Sequence, residues 1–493
     1  MKNSILRILG LALILSLNQF CSAPTEDREG DEMVLATETS PLMAQVQGLF
    51  EGANEDSTVS DFIQIHLEAE DLGFLIPALQ SPVYATYGSQ WVMFGGRKAG
   101  LHNMNNDPPA FPNLMANDSI WVVDLDAKKT TGVPVPPLYT TYLSGSSMLH
   151  YQEGETLYAS GGYTSIGDTT ISNWTSDHFF EINIPGLIQY VNSGGSTPAL
   201  DQVFTKVISD PFLQVTGGEM MVSNGNFYLI GGQNYKGAYL PGNTGDYTRA
   251  VRKFSLTTDG INWMITDTLS VIDSTKLHRR DYTLAEVITP GPDSLGAVIY
   301  GGVFNQYGLG YPSPVYLNDL GSGVPSVTLD EETLQKVNLY SAAQIDAVLA
   351  FGEYRVSRIS ILGGITDLSY FPDSSGLGES DIPLPFSNLI STYYTNGEDE
   401  TIELVQTPPN ALMPGYLGSN AVFFPLPGLL YGESESIIDL NKVFPGDASG
   451  PVLVGYMYGG IESPVANPMN GMQNYNTKTN STLYGVYMTL GLE

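Results

Sequence analysis

Six times along this 493-residue chain a short apolar run stops at a pair of glycines: QWVMFGGR, TLYASGGY, FYLIGGQ, AVIYGGV, ISILGGI and GYMYGGI. The pairs begin at Gly95, Gly161, Gly231, Gly301, Gly363 and Gly459. Glycine is costly inside a regular strand and cheap where the backbone must take φ > 0 or pass close to another backbone. One such pair would mark a turn, whereas six mark a repeated structural unit.

A second apolar run precedes each pair: VYATYG, SSMLHY, GEMMVS, YTLAEVI, DAVLAF and NAVFFP. In the third unit the two runs are joined by SNGN, a favoured hairpin connection, and in the fourth by TPGPDS, so they read as antiparallel neighbours. The sixth unit departs, with about 25 residues between its two runs. After each pair a polar, aromatic-rich loop leads to a third strand: SIWVVDL, HFFEINI, AVRKFSL, LISTYYT and STLYGVYMTL, the fourth unit being ambiguous. Meanders of this kind stack radially into a propeller, predicting an all-β, six-bladed β-propeller. Ahead of the first repeat, FIQIHLE (Phe62 to Glu68) alternates Ile63, Ile65 and Leu67 with polar residues. This strand is predicted to pair beside STLYGVYMTL and close the ring.

Four hydrophobic residues, Gly-Gly, a variable stretch and an aromatic strand make the chain, from about Val83 to Leu490, resemble the kelch-repeat family. Its blades run to about 50 residues. The spacings here of 66, 70, 70, 62 and 96 residues therefore imply insertions in every unit. Trp121 and Trp263 fall near the family's aromatic positions, while other units carry Phe or Tyr. Kelch-type propellers include copper-radical galactose oxidases and bacterial sialic acid mutarotases. The first need a cysteine cross-linked to a tyrosine, and the lone Cys21 lies in the leader region, so the resemblance leaves the second as the enzymatic alternative.

At the N-terminus, Lys2 and Arg7 precede an apolar stretch from Ile8 to Leu17 and then small residues, the pattern of an export signal over residues 1–23. Two processing readings stay open: cleavage after Ala23, or acylation of Cys21 as in a bacterial lipoprotein. Residues 24–57 read as a disordered acidic tether and 58–493 as the propeller. The expected location is the bacterial outer membrane or cell surface, or the periplasm or medium. Twenty basic residues against 52 acidic ones disfavour nucleic acid and anionic membranes as partners, leaving a lipid anchor at Cys21 as the one membrane contact. A monomer is expected. No phosphate-binding loop, GxSxG elbow or HExxH helix is present, and His102, His150 and His178 lack metal-ligand spacing, so neither a cofactor nor a metal is expected.

Alternation of strand direction sends the loops after Gly-Gly, and the residues leading into each first strand, to one mouth of the ring. Those loops are rich in Asn, Tyr, Gly, Ser and Pro, residues suited to recognising sugars or peptides. The candidate ligand-binding set is Arg97, His102, Tyr163, Gln233, Asn234, Tyr235, Asn305, Gln306 and Tyr307 with the cluster Arg279, Arg280 and Asp281. Adjacent arginines can clamp a carboxylate or sulfate through paired N–H donors, or one can pair with Asp281 and hold the chain. Two functions follow: a binding module for a glycan or an envelope protein, or a mutarotase in which an arginine holds the substrate carboxylate and Glu219 or Asp281 moves the proton.

Overall fold

A computed structural model describes residues 41–491 apart from 53–60, 104–109, 166–172, 241–244, 289–294, 353, 367, 372–375, 380–384, 396–400, 407–411, 448–449, 471–472 and 475. The expected export signal, Cys21 and the TPGPDS connection therefore lie outside the described residues.

Each glycine pair lies at or near the end of the second strand of a blade, and six blade sheets, five of four strands and one of five, form a six-bladed β-propeller. From the axis outward, blade 1 is Val83–Tyr87, Gln90–Phe94, Ser119–Asp124 and Lys129–Pro134, and blade 3 is Glu219–Ser223, Asn226–Ile230, Ala250–Thr258 and Trp263–Ile272. The ambiguous third strand of blade 4 is Val315–Asn318. Blade 6 takes its outermost strand from the other end of the chain. Ile63–Ala69 pairs antiparallel with Tyr484–Leu490, Ile63 facing Leu490, as the alternation of its apolar residues predicts.

All six pairs do the same job. The first glycine lies at positive φ, and the N–H of the second donates to a carbonyl leading into the next blade: Gly96 to Gly145, Gly162 to Val215, Gly232 to Arg279, Gly302 to Leu339, Gly364 to Leu417 and Gly460 to Leu79. These distances span 2.8 to 2.9 Å, and the last bond joins blade 6 to blade 1. At Gly161 a Cβ would sit 2.0 Å from the Val215 oxygen, so no side chain fits where the blades touch.

One expectation is corrected. Pro41–Gly52 is an α-helix, α1, within the stretch read as a disordered tether. Its Leu42, Val46 and Leu49, spaced i, i+4, i+7, form one buried stripe in the apolar cluster that holds Ile345 and Leu440. The acidic flanks masked that stripe. The extra residues in blade 6 form a strap: Ile438–Asp439 adds to the first strand of blade 5, Ala347 facing Ile438, and a short helix follows at Leu440–Val443.

Candidate functional site

The segments leading into the first strands meet around the axis in a backbone collar. Ser81 N–H donates to Asn420 O (3.2 Å), Asn420 to Ser341 (2.9 Å), Ser341 to Asp281 (2.9 Å), Asp281 to Gly217 (2.7 Å) and Gly217 to Ser147 (3.1 Å). The collar carries one residue from each blade and separates a small mouth chamber from a larger axial channel, and five of its members line both. Asp281 is its only charged member, and it adopts φ 50° there.

The mouth chamber, about 70 Å³, lies on the Gly-Gly face. The residues following the pairs bridge to the segments leading into the same blades: Arg97 to Gln80, Tyr163 to Ser146 and Gln233 to Thr216. Arg97, Tyr163 and Gln233 are thus equivalent positions on blades 1 to 3, and all three line the chamber with His102, Tyr235, Arg280 and Asp281. On blades 4 to 6 that position holds Val303, Ile365 and Ile461, so only blades 1 to 3 offer a polar side chain there. Phe111 meets Tyr163 at 5.3 Å and Tyr239 at 5.2 Å, and His102 packs on both Phe111 and Tyr239 at 4.8 Å, giving a continuous aromatic wall. Burial pushes the His102 imidazole down to about 4 and keeps it neutral.

The chamber's two arginines are differently held. Arg280 is ion-paired with Asp281 and donates to the hydroxyls of Tyr247 (3.2 Å) and Tyr239 (2.9 Å). Burial is the largest influence and opposes its charge, but Asp281 together with Tyr239, Tyr247 and Tyr340 outweighs it and holds the pKa above the usual value. Arg97 is 6% exposed and lies 4.1 Å over the Phe111 ring, and among the described residues its guanidinium donates to the Ala110 carbonyl alone, at 3.3 Å. Its Nε makes no hydrogen bond, and among the described residues no carboxylate pairs with it. Burial pulls its pKa down to about 10, the mark of a guanidinium stripped of water with little in return.

The remaining predicted residues do not join the site. Arg279 is 1% exposed and sealed against the Gly301-Gly302 pair of blade 4, donating to Gly301 O at 2.9 Å with its guanidinium 4.6 Å from the centre of the Tyr311 ring, so the two adjacent arginines part company. Alternation along the chain sends their side chains to opposite sides. Asn234 donates to Gln214 at 3.1 Å, away from the chamber. Asn305 ties its own turn, accepting from Tyr307 N (2.9 Å) and donating to Gly310 O (2.7 Å), while Gln306 and Tyr307 are exposed.

Beneath the collar the axial channel, about 660 Å³, has the volume of a small-molecule site. Its wall is built from alternate residues of the first strands, including His150, Glu219, Glu286 and Asp346 from blades 2 to 5. Burial, reinforced by Asp281, pushes the Glu219 carboxyl up to about 8. Burial alone accounts for most of the rise of Asp346 to about 8, and it raises Glu286 as well. The strap crosses the far end, where Ser436 Oγ donates to Glu286 Oε2 at 2.5 Å. Of these acids only Glu219 was singled out from sequence. The signal for the others was a carboxylate in an otherwise apolar inner strand, YTLAEVI and QIDAVLA.

Fold and site together define a six-bladed β-propeller with a polar mouth and a ligand-sized axial channel. Neither a protein-family model nor a curated protein matches the chain. Among solved structures it is similar to one described as the structure of YjhT, at 11% identity and a TM-score of 0.44, over 83% of this chain and 97% of that one.

Proposed function

We propose that the protein is an exported, monomeric kelch-type propeller that binds a carboxylate-bearing glycan at the Gly-Gly mouth. The kelch assignment rests on the six glycine pairs and the equivalent place each takes in its blade. The functional reading rests on Arg97, a buried guanidinium beside an aromatic wall with no carboxylate partner among the described residues. Leaving a buried charge uncompensated is expensive, and a ligand carboxylate accepting two parallel N–H bonds supplies the missing partner. A chamber of about 70 Å³ takes the carboxylate or one pendant group rather than a whole sugar, so the ring of the sugar rests on the aromatic wall above. Export rests on Lys2, Arg7 and the apolar stretch that follows, with Cys21→Ser distinguishing a lipid anchor from cleavage after Ala23: only an anchored protein leaves the membrane fraction.

The test is thermal shift and calorimetry of the purified protein with sialic acid, neutral sugars and sulfated sugars. A carboxylated sugar should stabilise the protein and a neutral one should not, and Arg97→Ala should remove the effect. Unchanged binding by Arg97→Ala, or no response to any acidic sugar, rejects the reading. A second reading, a sugar mutarotase, draws on Glu219, whose carboxyl at about 8 is matched to proton transfer near neutral pH. Its discriminating measurement is the anomeric equilibration rate of a freshly dissolved sugar, followed by NMR with and without Glu219→Gln.

A further inference from the structure

The axial channel carries an imbalance of its own between acidic and basic side chains. Glu219, Glu286 and Asp346 come from three successive blades, and no lysine or arginine is among the described residues that line it. The one histidine of its wall, His150, is held neutral by burial, its imidazole pushed down to about 4. Tyr84 of the blade 1 wall lines the same channel; burial raises its phenol, and Glu219, Asp346 and Glu286 raise it further. Asp346 is 4% exposed and its Oδ1 has no hydrogen-bond partner, although Oδ2 accepts from Glu286 N and Gln344 Nε2, both at 3.0 Å. A buried carboxylate oxygen left without a donor is costly unless something arrives to satisfy it.

From this geometry we infer that the channel is a second binding site, for a small aliphatic ammonium compound such as a diamine. An ammonium brings a donor for Asp346 Oδ1 and a positive charge that none of the described lining residues supplies, and its methylene stem suits a wall that includes Tyr84, Met221 and Phe423. A tyrosine face adds cation–π attraction. A metal ion is the poorer match, because among the described residues no three carboxylates or histidines gather closely enough to hold one. The strap fits the same purpose, fastening Ser436 to Glu286 across the end of the channel away from the mouth. The mouth, with its arginines, and the channel, with its acids, would then take ligand groups of opposite charge on either side of the collar.

Putrescine and spermidine are the probes, titrated into the purified protein by calorimetry and by ligand-observed NMR, with 1,4-butanediol as the uncharged analogue and magnesium chloride at matched ionic strength. The amines should bind and the diol should not. Glu286→Gln and Asp346→Asn should each weaken amine binding about tenfold or more, since each replaces a carboxyl that can give up its proton to pair with the ammonium by an amide that cannot. Arg97→Ala should leave amine binding intact while altering the mouth, which separates this site from the glycan reading. The channel assignment is overturned if the diol or magnesium produces an equal signal, or if both amide variants, checked as folded by their melting transitions, bind the amines like the parent. Absence of any amine binding at millimolar concentration overturns it as well.

Discussion

Arg358 and Asp61, 297 positions apart in the chain, form a buried ion pair in which Arg358 Nη2 lies 2.7 Å from Asp61 Oδ2. Tyr394 donates to the other carboxylate oxygen at 2.8 Å and accepts from Arg358 Nε at 3.0 Å, while Arg358 Nη2 also donates to Ile63 O at 2.9 Å. Asp61 stands directly before the closing strand of blade 6, and Arg358 and Tyr394 belong to blade 5. The pair therefore fastens ring closure to the neighbouring blade. Arg358→Met leaves Asp61 buried without its counter-ion and should cost about 3–5 kcal/mol in urea unfolding. Asp61→Leu combined with Arg358→Met should cost less than the sum of the single changes, because the stranded charge is gone.

The inter-blade role of the glycine pairs predicts a contrast between two alanine substitutions. Gly161 (φ 67°) would place a Cβ 2.0 Å from the Val215 oxygen, whereas Gly88 (φ 60°) has nothing within 4 Å. Gly88→Ala should cost only the left-handed strain, about 1–2 kcal/mol. Gly161→Ala carries the same strain and must also displace the blade 2 to blade 3 contact, so its loss in denaturant midpoint should be clearly the larger.

Channel acids set a pH dependence of stability. Glu219 and Asp346 titrate near 8 when folded, above the ordinary carboxylate range they keep when unfolded. For acids whose folded pKa is raised, the favourable contribution is complete below the unfolded value and is lost as pH rises through the folded one. The melting temperature should therefore fall between about pH 5 and pH 9. Asp346→Asn should flatten that slope and melt higher than the parent at the alkaline end.

Stability and binding should separate at the two mouth arginines. Arg97 has no carboxylate partner among the described residues, so Arg97→Ala should lose acidic-sugar binding with stability unchanged or slightly raised. Arg280→Ala should instead destabilise, by about 3–5 kcal/mol, because Asp281 is left buried in the collar. Chemical denaturation of both variants beside the sugar titration reads the two effects independently.

Local pattern determined most of the architecture. Strand alternation, hairpin residues and the glycine pairs are properties of a few consecutive residues, so blade number, the closing strand and the face bearing the mouth were all legible from Ile63 to Leu490. Legibility of the mouth was partial, because Arg97, Tyr163 and Gln233 inherit their direction from the glycine pair before them. Arg279 and Arg280 could not be told apart by composition, since one residue of strand alternation decides which is sealed between blades and which faces the axis. Only the tertiary structure decided that Glu219, Glu286 and Asp346 share a desolvated channel, that α1 carries a buried stripe, and that a strap reaches Glu286 from blade 6. Those relationships join residues far apart in the chain, and they exist only once the ring has closed.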